Sequence, residues 1–265
     1  MKNPLVGENM FGYISDKIAS AKFIDSPFPH LEINDFLSES HLGTILMDGQ
    51  VHFSRCDSHE SLISKLLAET YKPQSFPGCT TDIDAYLKIL RNDTARKSIT
   101  EPLGITFRLS TYKNPFVESL MGYINGDSFH SALRKKFNIQ QKTHLHSGIH
   151  KYLTKYEISP HPDIRAKAMT FLLNINKPEA EQYDIHTHLL RFKKEHEYMY
   201  NKWKTETKSD RGWVPWEWCE TIKTVSRNNT MVIFSPTHES LHAVRLDYPH
   251  LDFQRTQIYG NMKYV

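Results

Sequence analysis

Apolar positions change their rhythm near the middle of the chain. Before about residue 140 the pattern is mostly helical, interrupted by one short strand-like stretch, Pro29-His30-Leu31-Glu32-Ile33. This stretch feeds Ser38-Glu39-Ser40, a cap for a helix running to about Met47. Further helices are predicted over 58–71, 80–97 and 127–137. Pro73, Pro77 and Gly78 separate the first two, and Asn138 ends the last.

From about His144 the segments shorten and take on strand chemistry, over 144–152, 154–159, 167–175, 183–190, 230–235, 240–246 and 253–260. A β-rich second half behind a helical flank predicts an α+β, mainly β fold. Its core would be an antiparallel barrel or double-sheet jelly roll, supported by the helices. No internal repeat or low-complexity tract interrupts it, so one domain is expected over 1–265, with a helical support region at 1–140 and the β core at 141–265. One segment breaks the rhythm: 191–228 is rich in charge and carries Trp203, Trp213, Trp216 and Trp218. It reads either as a lid bearing substrate contacts, Trp213 and Trp216 among them, or as a layer packed on the outside of the sheet.

Composition narrows the functional classes. A hydrophobic fraction of 39% and an aromatic fraction of 12% can fill a core. A formal charge of +3 is too small to track a phosphate backbone, so no nucleic-acid partner is expected. The start, MKNPLVGENMFGYISDK, lacks the apolar run of a signal peptide and no stretch reaches membrane-spanning length, so a cytoplasmic protein without a membrane partner is expected. Cys56, Cys79 and Cys219 are odd in number and widely spaced, which gives neither a disulfide framework nor a zinc knuckle. The 15 histidines are the unusual feature.

His161-Pro162-Asp163 follows the predicted strand 154–159. On an extended chain, residues two apart point the same way, so His161 and Asp163 can share one ion. His242, in the strand-like Ser240-Leu241-His242-Ala243-Val244, offers a third ligand. Two imidazoles and a carboxylate on one face of an octahedral ion make the facial triad of non-haem Fe(II) oxygenases, with positions left open for other ligands.

Several stretches carry a resemblance: PFPHLEINDFL at 27–37, KYLTKYEISPHPDIRAKAMTFLLNIN, and MVIFSPTHESLHAVRLDYPHLDFQRTQIYGN. In these the chain resembles the prolyl-4-hydroxylase-like branch of the Fe(II)/2-oxoglutarate oxygenase superfamily. The resemblance implies a double-stranded β-helix with Fe(II) at its mouth, held by His161, Asp163 and His242 as catalytic and metal residues, and 2-oxoglutarate and O2 as co-substrates. It also assigns the distal carboxylate of 2-oxoglutarate to Arg255, with Tyr152, nine residues before His161, as a second donor. A guanidinium fork suits a carboxylate in a confined site, and Arg245 is the rival for that role. The chain departs from the family at Gln257, where Ser or Thr is usual, and at Glu181-Gln182-Tyr183-Asp184, where Gly-Gly is usual.

Because Asp163 retains the carboxylate, the resemblance implies hydroxylation of an unactivated C–H rather than halogenation. The substrate is expected to be a small polar or amino-acid-like molecule, with a peptidyl prolyl side chain as the alternative. Arg165, two residues beyond Asp163, reads either as a substrate contact in the pocket or as a rim salt bridge, and Lys167 shares that ambiguity. Two readings of other classes compete. His238-Glu239-Ser240-Leu241-His242 matches the HExxH pattern of zinc peptidases, which requires a helix that Pro236 and Pro249 argue against. A barrel that binds without turnover is the other. The pairs His144/His146 and His186/His188 read as solvent-facing or hydrogen-bonded histidines.

Overall fold

A computed structural model describes residues 5–205 and 212–265, so positions 206–211 of the 191–228 segment lie outside the described residues. Helices dominate the first half: α1 (Leu5–Ser20), α2 (Glu39–Leu46), α3 (His59–Ala68), α4 (Ile83–Arg91), α5 (Pro115–Ile124) and α6 (Asp127–Lys136). Most begin at a side chain able to satisfy the first free backbone N–H groups. Ser38 accepts from His41 N, Ser58 and Ser61 form a reciprocal capping box, Asp82 accepts from Ala85 N, and Asn114 precedes Pro115. Each such cap contributes about 1 kcal/mol.

Twelve strands follow the chain as β1 (Phe23–Ile24), β2 (His30–Ile33), β3 (Tyr71–Pro73), β4 (Thr106–Leu109), β5 (Thr143–Tyr152), β6 (Glu157–His161), β7 (Lys167–Asn174), β8 (Thr187–Phe192), β9 (Cys219–Val225), β10 (Met231–Phe234), β11 (His242–Arg245) and β12 (Arg255–Tyr264). They form an eight-stranded sheet, β1-β2-β10-β7-β12-β5-β4-β3, and a four-stranded sheet, β6-β11-β8-β9, in which the strand pairs are antiparallel. β12 is the joint of the large sheet, pairing with β5 along its whole length and with β7 on its other side.

The large sheet lies between two apolar layers. Phe171, Leu173, Ile233, Ile258 and Met262 pack with Phe11, Leu120 and Phe129 of the helices. On the opposite face Leu172, Val232 and Phe234 meet Leu189 and Val225 of the small sheet. All eight residues of β7 are therefore buried, which explains a continuous run rather than an alternation in its sequence. Burial of one such aliphatic side chain contributes about 1.5–3 kcal/mol.

Several expectations need correction. The helical half holds four short strands rather than one, and β3 and β4 extend the large sheet. With three or four residues each, they carry too little alternation to stand out. α1 and α5 were not anticipated either. The strand expected at 154–159 starts at Glu157, because Lys155 takes φ 63° in a turn after β5. That expected at 183–190 starts at Thr187, behind a 3₁₀ turn over Pro178–Gln182.

The 191–228 segment is not wholly an insertion. It contains α7 (Tyr198–Thr205), and its last part is β9, an edge strand of the small sheet. Phe192, Met199, Trp203, Val214, Leu241 and Ala243 form one apolar cluster, so its described parts pack on that sheet. Among the described residues, no helix is long and apolar enough to cross a membrane.

Candidate metal centre

β6 and β11 pair antiparallel with His161 opposite His242, which brings the two rings to a centroid distance of 4.5 Å. Asp163 arrives differently from the sequence expectation. β6 ends at His161, and Pro162, which lacks an N–H, starts an irregular turn. Asp163 therefore lies beyond the strand, yet the ligand atoms of His161, Asp163 and His242 all fall within 4.8 Å of one another. The Asp163 Oδ2 to His242 Nε2 distance is 3.9 Å.

Each imidazole is oriented by its own strand. His161 Nδ1 donates to Ser159 O at 2.8 Å, and His242 Nδ1 to Ser240 O at 3.0 Å. A carbonyl only accepts, so the proton sits on Nδ1 and the Nε2 lone pair is left for an ion. Burial, reinforced by the neighbouring His242, pushes His161 down to about 3, and burial also lowers His242. Both are neutral near pH 7, the state in which imidazole binds a metal.

Burial alone would raise Asp163. Lys167 and the two imidazoles outweigh it and hold the carboxyl well below the usual range. Lys167 Nζ donates to its Oδ1 at 2.6 Å and Thr170 Oγ1 to its Oδ2 at 2.5 Å. Lys167 also donates to the Tyr259 hydroxyl at 3.1 Å. Two neutral nitrogens and one fixed carboxylate, converging beside a cavity, fit a divalent first-row ion with open coordination positions.

The cavity beside the triad is narrow, about 80 Å³, and is bounded by Tyr152, Thr187, Arg255, Gln257 and Tyr259. Arg255 opens β12 opposite Tyr152 on β5 and is only 2% exposed. Its Nε donates to Ile185 O at 2.6 Å and Nη2 to Thr187 Oγ1 at 2.9 Å, while its guanidinium carbon lies 4.7 Å from the Tyr152 ring centre. No carboxylate of the described residues pairs with it, and Nη1 has no hydrogen-bond partner among them. Burial lowers the pKa, but guanidinium stays protonated in proteins, so this is an uncompensated buried cation. The Tyr248 hydroxyl secures the strand beneath it, accepting from Arg255 N at 2.9 Å and donating to Tyr152 O at 2.5 Å.

Arg245, the rival, lies outside the cavity. Its Nε donates to Glu157 Oε2 at 2.8 Å and its guanidinium carbon sits 4.8 Å from the Trp216 ring centre. Trp216 donates to the same Glu157 at 3.2 Å, also away from the triad. Trp213 is half-buried and does not border the cavity either, although Val214 N donates to Pro160 O at 3.0 Å beside His161. Arg165 is exposed and does not border the cavity, since the period-two rule stops where β6 ends. Lys167 occupies the inward position instead.

The HExxH alternative lacks its helix. His238 and Glu239 lie in a turn and His242 in β11, with Ser240 Oγ donating to Thr237 O. His188 bonds Thr221 Oγ1 of the neighbouring β9 at 3.1 Å and lies 3.5 Å from Asp184, just before β8, which suits the structural reading of that pair. Thr170 and Tyr259 were not singled out from sequence, and Gln257 only as a departure from the family pattern. Gln257 Nε2 donates to Asn174 Oδ1 at 2.6 Å, a contact visible only once β12 and β7 are in register.

No protein-family model matches the chain, and no curated protein matches it in sequence. Solved structures similar to it include a Pseudomonas putida prolyl-4-hydroxylase, at 10% identity and a TM-score of 0.45, covering 96% of this chain and 99% of that one. A Trichoplax adhaerens prolyl hydroxylase, solved with a hypoxia inducible factor oxygen degradation domain peptide fragment, is similar at 11% identity and a TM-score of 0.44, over 98% and 91% of the two chains. A Burkholderia pseudomallei oxidoreductase of the 2OG-Fe(II) oxygenase family is similar at 10% identity and a TM-score of 0.36, over 80% and 94%.

Proposed function

We propose that the protein is an Fe(II)- and 2-oxoglutarate-dependent oxygenase that hydroxylates an unactivated C–H bond of a small polar or amino-acid-like substrate. In this reading one domain, a double-stranded β-helix formed by the two facing sheets, carries the site. The observation that carries the reading is Arg255. A buried guanidinium without a counter-charge, in the cavity that the two-histidine, one-carboxylate cluster borders, calls for a small dianion that also reaches the metal.

His161, Asp163 and His242 would hold Fe(II), which supplies oxidative chemistry driven by decarboxylation of 2-oxoglutarate to succinate. Arg255 pairs with the far carboxylate of the oxoacid, and the Tyr152 hydroxyl, which makes no hydrogen bond among the described residues, is the second donor. Lys167 and Thr170 hold the Asp163 carboxylate in one orientation. A five-carbon diacid needs more room than this cavity offers, so its walls must move apart when the oxoacid binds.

Anaerobic addition of Fe(II) and 2-oxoglutarate should give a weak visible charge-transfer band, with succinate formed on admitting air. Arg255→Met should weaken 2-oxoglutarate binding at least 100-fold while Mn(II) still binds the triad. Soluble protein with no band and no succinate overturns the proposal.

A further inference from the structure

The inner face of the large sheet continues past the metal cavity. Lys72 on β3, Arg108 on β4, His150 on β5, Gln257 on β12 and Asn174 on β7 are successive register partners across five adjacent strands. Partners in register share a face, so this row runs from the Gln257 wall of the metal cavity to the β3 edge. With strands about 4.8 Å apart, Arg108 stands about 10 Å from Gln257 along it.

At that end lies an open depression of about 520 Å³, bordered by Lys72, Arg108, Tyr112 and His146. Its lining holds no acidic side chain, and no carboxylate of the described residues pairs with Lys72, Arg108 or His146. Arg108 is half-buried rather than extended into solvent, and its Nη2 donates to Ser147 O at 2.8 Å. It lies flat across Gly148, where a Cβ would collide with its Nε. A glycine within a strand otherwise weakens it, and here the missing side chain leaves room for the guanidinium.

Gly148 pairs across the ladder with Tyr259, whose hydroxyl binds the same Lys167 that holds Asp163. Arg108 thus leans over β5 toward the metal centre. Beneath it His150 is buried between Phe76 and Tyr259, and its Nδ1 has no hydrogen-bond partner among the described residues.

We infer that the substrate carries an anionic group, a carboxylate or a phosphate, bound by Arg108 with Lys72 at the rim, while its body extends from there along the sheet toward the metal. This rests on the proposed oxygenase reading and deepens it. An anion held there is separated from the reacting carbon by several bonds, so the substrate is longer than a single amino acid.

The test is calorimetric titration of inorganic phosphate and, separately, propionate into full-length protein, first alone and then saturated anaerobically with Mn(II) and 2-oxoglutarate. At least one anion should bind the loaded protein, and the stronger of the two identifies the group. Arg108→Gln should weaken that binding tenfold or more, and Gly148→Ala, which displaces the guanidinium, should weaken it as well. Urea midpoints of both variants set a folding defect apart from a lost site. If neither anion binds the wild type, or if Arg108→Gln binds as tightly, the inference falls. Failure of 2-oxoglutarate itself to bind overturns the oxygenase reading instead, and the titration without it still reports on Arg108.

Discussion

Acid should unfold the metal-free protein well above the pH at which carboxylates titrate. His52, His150 and His250 are buried, and burial holds them at about 2, about 3 and about 3, with Lys151, Arg108 and His59 respectively adding to the effect. Each also has a ring nitrogen without a hydrogen-bond partner among the described residues. In the unfolded chain these imidazoles return to about 6.5. Between that value and about 3 the unfolded state takes up protons that the native state refuses, so stability falls as pH falls.

At pH 5 the difference is about 1.5 pH units for each group, or about 2 kcal/mol at 1.36 kcal/mol per unit. The three together lose about 6 kcal/mol, comparable to the whole stability of many domains. Urea midpoints measured with a chelator present at pH 7.5, 6.5, 5.5 and 5.0 should fall by about 2 M, taking a slope of about 3 kcal/mol per M. His150→Gln should remove about 2 kcal/mol of that loss. A midpoint flat from pH 7.5 to 5.0, or a variant with the wild-type slope, would refute the reasoning.

Two further outcomes follow from the same geometry. His242→Ala should weaken Mn(II) binding at least 100-fold, read by the loss of the free-ion paramagnetic signal on titration, whereas His188→Ala should bind the ion as wild type does, because His188 bonds Thr221 rather than the triad. Gly260→Ala should destabilise by about 1–3 kcal/mol, since a Cβ there would come within 2.6 Å of Ser147 Cβ and also strike the Phe171 ring, and a urea midpoint equal to wild type would count against that packing.

What was legible in the sequence follows the reach of each signal. The run around 167–175 was readable as a strand because both its faces are buried, and Ser38 as a cap because its side chain serves the next turn. The three donor residues stood out because metal chemistry accepts few side-chain types. What failed is what depends on where a strand ends or which strand lies alongside. The inward alternative for Arg165 rested on a period-two rule that ends with β6 at His161. Thr170 reaches Asp163 only because the turn folds back, and Tyr259 reaches Lys167 only through the register of β12 on β7. The tryptophans of 191–228 read equally as a lid or as a packed layer, and Trp203 of α7 joins the apolar cluster on the small sheet, to which β9 adds an edge strand.

The position of β12 has a consequence for how the molecule is made. Without it the large sheet is two ribbons, β1-β2-β10-β7 and β5-β4-β3, each with a bare inner edge. During folding, therefore, two edges stay unpaired until β12 docks between them, an interval in which chaperone contact competes with edge-to-edge association. Arg255 opens this joining strand, so any change that unseats β12 would separate the two ribbons and displace the buried guanidinium in one event.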